Sequence, residues 1–153
     1  MRPANIFKYQ NRLAKAVGSR TGMTAQEAIP AAQARVELVR EPTLAEIDAA
    51  LGEIYGLSEP LKAEHDRAGL RRMYDAANLI VATAGVFGLE ELGQAAWSLC
   101  ELASRFEATG RFSWAMIAVH IDGLRLLRYP TDHPRAHREA VLAGLRQVTA
   151  SIV

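Results

Sequence analysis

The stretch from Ala76 to Leu102, AANLIVATAGVFGLEELGQAAWSLCEL, constrains this chain more than any other: it reads as two helices joined at a Gly85-x-x-Gly88 turn. After the turn, Leu92, Ala96, Leu99, Ala103 and Phe106 recur at intervals of three and four as far as Gly110, which is the spacing of one helical face. Gly110 then supplies the left-handed residue on which helices commonly end. So short a link favours two helices lying side by side and antiparallel. The hairpin therefore predicts a helical bundle, and the rest of the chain has to cover its apolar faces.

The same period recurs on both sides of the hairpin. Thr24 with Glu27 has capping-box spacing, and Ala28, Ile29, Ala32, Val36 and Val39 give an apolar stripe whose first turns Pro30 should perturb. Pro42 marks a stop or a kink. Thr43 and Glu46 repeat the capping box, Leu44, Ile47, Leu51 and Ile54 share one face, and Gly56 is a C-cap. Ser58 and Pro60 open a third segment that runs to Val81, charged in its first half and apolar in its second, as if one end projects before the helix becomes buried near Ala76. Ser113 can cap a helix that lasts to Tyr129 and Pro130. Thr131 or Asp132 precedes Pro134, and Val141, Leu145, Val148 and Ile152 carry the last helix. No segment alternates like a strand. The expectation is an all-α antiparallel bundle: a four-helix core from the segments beginning near Thr43, Ser58, Leu89 and Ser113, with the last helix packed on it. Residues 1–22, interrupted by Gly18, Ser19 and Gly22, read as an arm that wraps on the bundle or stays mobile, and 23–153 as a single domain.

Composition narrows the function classes. A chain of 153 residues, half of them hydrophobic, with 18 basic against 17 acidic side chains, is neither disordered nor a broad nucleic-acid-binding field. Cys100, the single cysteine, sits in an apolar helical pattern, has no internal disulfide partner and fits a reducing compartment. The N-terminus has no hydrophobic run of a secretory signal. The longest apolar stretch, Leu79 to Leu89, contains Thr83, Gly85 and Gly88 and falls short of the roughly 20 residues that span a bilayer. A soluble cytoplasmic protein is expected, with no membrane span and no nucleic acid.

Few residues could carry chemistry. There is no hydrolase triad, phosphate-binding Gly-Lys loop or dinucleotide fingerprint, and Ser98 and Cys100 lack a base at helical contact spacing, so no cofactor is expected. His120 lies in SWAMIAVHIDGLRLLR, where Gly123 removes bulk beside the imidazole and could admit a partner's aspartate; the competing reading is a buried, hydrogen-bonded histidine. Asp122 points away from it. His133 and His137 have the spacing that chelates from one helix face, yet two ligands are not a site, and no metal is expected. Arg125, Arg128, Arg135 and Arg138 are a candidate positive patch toward an acidic partner, or a solvated face.

The G-V-F-G-L-E-E-L turn, Gly85 to Leu92, resembles that of histidine phosphotransfer (Hpt) domains, which carry their phosphoryl-accepting histidine at an offset that falls here on Asn78, nine residues before Phe87. An amide nitrogen delocalises its lone pair into the carbonyl and cannot accept a phosphoryl group as imidazole can. Arg71, Tyr74 and Asp75 lie on the same helical face as Asn78 and offer a polar docking surface. The segments NRLAKAVG from Asn11, AAWSLCELASRF from Ala95 and GRFSWAMIAVHIDGLRLLR from Gly110 together resemble the alphaproteobacterial chemotaxis protein CheE family, with Glu101 where that family has Asp and Gly123 where it has Ala. The resemblance covers most of the chain and implies a place in histidine-kinase and receiver-domain traffic, without supplying a reaction. The leading expectation is a non-enzymatic adaptor, a pseudo-phosphotransfer protein that binds a receiver domain or a histidine kinase through Arg71, Tyr74, Asp75 and Asn78. The alternatives are an active phosphotransfer protein using His120 and a structural homo-oligomer such as a homodimer, motivated by the apolar excess of residues 114–127.

Overall fold

The computed structural model describes Arg12, residues 22–64 and residues 66–152, and every regular element among them is helical. The chain divides into two compact units, Met1–Val39 and Arg40–Val153. Apart from Arg12 and Gly22, the arm expected over residues 1–22 lies outside the described residues.

The first unit contains α1, Ala25–Leu38. Its capping box forms as expected: the Thr24 hydroxyl accepts from the Glu27 amide at 3.3 Å, and the Glu27 carboxylate accepts from the Thr24 amide at 2.9 Å. These bonds to Thr24 hold the Glu27 carboxyl below its ordinary pKa. The helix runs through Pro30, and none of its residues is buried.

In the second unit, α2 spans Arg40–Gly56 and buries Ile47, Ala50, Leu51 and Ile54. It starts before the expected Thr43. Pro42 falls in the first turn, where a backbone N–H has no helical acceptor and its loss costs nothing, so the proline neither stops nor kinks the helix. Thr43 is consequently inside the helix and cannot act as its cap.

The segment expected as one helix from Ser58 to Val81 is two, α3 at Ser58–Ala63 and α4 at Arg67–Thr83. Asp66 makes the break. Its carboxylate accepts from the amides of Ala68 and Gly69 at 3.0 and 2.9 Å, satisfying donors that a continuous helix would have satisfied itself. The charged first half therefore folds back: Leu61 is fully buried, and a Cβ on Gly69 would lie 3.1 Å from its Cδ2.

A 3-10 turn at Ala84–Phe87 and the left-handed Gly88 (φ 77°) lead into α5, Glu90–Thr109, which ends on the left-handed Gly110 (φ 68°). Then come α6, Trp114–Leu127, and α7, Arg135–Ala150. Helix α5 is central, packed on α4, α6 and α7; α2 lies on α4 and, with α3, on α6. Cross-helix pairs give the directions. Cys100 meets the Tyr74 carbonyl, and the Cβ position of Gly93 meets Ala84, so α4 and α5 are antiparallel. Phe106 with Phe112 and Ser98 with His120 set α6 antiparallel to α5, whereas Arg138 with Glu91, Arg146 with Gln94 and Arg105 with the Ile152 carbonyl set α7 parallel to α5. The core of α2, α4, α5 and α6 buries Ile47, Leu99, Ile117 and Ile121 together, with α7 laid over α5 and α6.

Candidate functional site

Helix α4 is strongly two-faced. Met73, Ala76, Ala77 and Ile80 point into the core, which leaves Arg71, Asp75 and Asn78 exposed and Tyr74 half-buried on the outer surface. Arg71 pairs with Asp75 at 3.2 Å, and its guanidinium lies 5.2 Å from the centroid of the Tyr74 ring. Both interactions are exposed and hold side chains in place more than they stabilise the fold. Asn78, one turn beyond Asp75, has its amide in solvent, and Leu79 beside it is 38% exposed.

A concavity of about 540 Å³ opens just beyond this face and is lined by Val81, Gly85, Gly93, Trp97, Glu101 and Arg146, among others. Trp97 is 61% exposed. The apolar period of α5 does not reveal it, because Trp97 lies off the buried stripe. The available signal was a large aromatic lying off that stripe.

His120 lies in the interior. It is fully buried, with Nδ1 2.7 Å from the Met116 carbonyl oxygen and Nε2 3.0 Å from Ser98 Oγ and 3.2 Å from Thr149 Oγ1. A carbonyl only accepts, so Nδ1 carries the proton and donates, and Nε2 is left as the acceptor of a hydroxyl. Ser98 and Thr149 are themselves 3.0 Å apart, closing a three-membered polar ring that joins α5, α6 and α7. Burial pushes the imidazole pKa down and outweighs the upward effect of the Met116 carbonyl, so the neutral ring is the resident form.

This arrangement qualifies two expectations. Ser98 has no base along its own helix, as its spacing indicates, but another helix brings His120 within reach. Gly123 does not make room for a partner: a Cβ there would lie 2.9 Å from Leu145 Cδ1 and 3.5 Å from Val141 Cγ1, so the missing side chain is filled from α7. With Ser98 only 4% exposed and both nitrogens of His120 engaged, neither the hydroxyl nor the ring presents a free nucleophile. Asp122, as expected, faces outward, 3.6 Å from Arg125.

The remaining candidates separate. His133 has extended backbone (φ −134°, ψ 141°) ahead of α7, so it shares no helix face with His137, and its carbonyl accepts from Arg138 at 2.6 Å. No group of three or more His, Cys, Asp or Glu side chains able to hold a metal occurs among the described residues. The four arginines do not form a free positive patch. Arg125 stacks on Tyr55 at 4.6 Å, Arg128 grips both oxygens of Asp48 at 2.7 and 3.0 Å, Arg135 pairs with Glu139, and Arg138 pairs with Glu91. Burial, with a smaller contribution from Asp75, raises the Cys100 thiol to about 11, as befits a side chain that packs and does not react.

Among the described residues, no helix is long and apolar enough to cross a membrane. Comparison with protein-family models, with curated proteins and with solved structures finds no match to this chain.

Proposed function

We propose that this protein is a non-catalytic adaptor of two-component signalling, in chemotaxis in particular, which acts in the cytoplasm and binds a receiver domain or a histidine kinase through the α4 face around Asn78. One observation carries the reading. At the exposed position where the Hpt-like turn calls for a phosphoacceptor there is an amide, while the histidine inside the bundle has both nitrogens in hydrogen bonds. A phosphohistidine needs an exposed nitrogen and room for the receiver's aspartate, and neither residue meets both conditions. The face itself suits docking. It carries an ordered Arg71–Tyr74–Asp75 cluster for polar contacts and continues toward the groove beside Val81 and Trp97, an apolar centre within a polar rim.

The test uses a purified chemotaxis receiver domain, phosphorylated and unphosphorylated. Wild type should bind, and Asn78→Arg should weaken binding by about tenfold or more, because it places a bulky, unpaired cation in the contact. No acid-labile phosphate should appear on the protein after incubation with the phosphorylated receiver or an active kinase. Radiolabel transfer to wild type that disappears in His120→Gln would replace the adaptor with an active phosphotransfer protein.

A further inference from the structure

Helix α6 carries more apolar surface than its own fold covers. Of its fourteen residues only His120, Asp122 and Arg125 are polar, yet the helix is not enclosed: Val119 is 47% exposed and Ala115 is also exposed. Beside it, α6 and α7 form a second groove of about 330 Å³, walled by Val119 and Leu126 on one side and by Val141 and Gly144 on the other. A Cβ at Gly144 would meet nothing within 4 Å, so the α7 side is flat and open there. A helix that is apolar all round normally lies inside a structure, and an apolar groove in water calls for a cover.

The charges at the edge of the groove say what the cover is. Asp122 lines it and Arg125 follows three residues on, with side chains 74% and 55% exposed; they are 3.6 Å apart, and Arg125, although stacked on Tyr55 at 4.6 Å, keeps more than half of its side chain open to solvent. They are the only charged residues of α6, one of each sign. A two-fold axis crossing the helix between them sets Asp122 of each copy against Arg125 of the other, giving two opposite-charge contacts at the rim of an apolar centre. Such a patch has no net charge to repel its own copy, and a two-fold interface requires this kind of self-complementarity. We propose that the α6–α7 face is covered by a second copy of this chain, packed across a two-fold axis near Asp122 and Arg125. The contact uses other helices than the α4 face and stands whether or not the adaptor reading holds.

Sedimentation equilibrium of the full chain from about 1 μM to about 1 mM tests it. Wild type should pass from the 16.7 kDa monomer mass to twice that mass within this range. Gly144→Glu places a charge in the groove at a position with no internal neighbour to clash with, and it should weaken association by about tenfold or more while the thermal transition is kept. Asp122→Arg and Arg125→Asp should each weaken self-association, and an equimolar mixture of the two should associate again, because the mixed pair sets every acid against a base. A wild type that stays monomeric throughout, a Gly144→Glu variant that dimerises as wild type does, or a mixture no better than its components would each overturn the proposal.

Discussion

The buried His120 makes stability depend on pH in a direction that can be worked out beforehand. In the folded protein its partners are two hydroxyls and a carbonyl, and burial lowers its pKa; in the unfolded chain it returns to about 6.5. Between the two values the unfolded state binds the proton and the folded state does not. Stability therefore rises with pH across that window: the contribution is complete above about 6.5, falls as pH drops toward the folded value, and is level below it. One proton limits the slope to about 1.4 kcal/mol per pH unit, which for a chain of this size is about 3 to 6 °C in the melting temperature. The assay is urea or thermal unfolding of wild type and His120→Gln between about pH 7.5 and pH 5.5, read as the difference between their slopes. Wild type should lose stability toward acid more steeply than the variant, whatever the variant's absolute stability. An NMR titration should show the His120 ring neutral below the ordinary imidazole value. Parallel slopes, or a ring that protonates near 6.5, would refute the reasoning.

Two further substitutions test the fold. Leu99, fully buried at the centre of α5, should cost about 2 to 5 kcal/mol on Leu99→Ala, measured by urea unfolding with an unchanged m-value; a loss near zero would remove it from the core. Asp66→Ala removes the acceptor of two amides at the start of α4 and should cost about 1 kcal/mol, with faster hydrogen exchange at Ala68 and Gly69; unchanged exchange would show the break between α3 and α4 to be held by something else.

Where apolar residues recur every three or four positions, the bundle is readable in advance. The stripes of α2 and α5 and the hairpin about Gly88 follow from period and left-handed glycine, whereas α7 buries Leu142, Leu145 and Thr149, so that Val141 and Val148 of its expected stripe are only half-buried. The boundary misses lie at helix ends, where a single side chain decides. Pro42 is a helix breaker in general and harmless in a first turn, and only the true start of α2 says which applies. Asp66 interrupts a stretch whose proline and glycine do not mark the break: Pro60 sits in the first turn of α3 and Gly69 lies inside α4. Its effect depends on the chain turning there so that Leu61 can reach Gly69, a tertiary contact that local pattern does not contain.

The site is readable in proportion to how local it is. Arg71, Tyr74, Asp75 and Asn78 share a face because they share a helix, and spacing alone brings them together. The ring of Ser98, His120 and Thr149 draws one residue from each of three helices, so its members look unrelated along the chain: Ser98 a serine without a base, His120 a histidine without an orienting partner. Packing order also decides the charged residues. Arg128 could belong to a positive patch by sequence, but α2 lies against α6 and brings Asp48 to both arms of its guanidinium. The same rule holds for Arg125, which pairs with Asp122 at 3.6 Å within its own helix and stacks on Tyr55 of α2, a neighbour that spacing along the chain does not show.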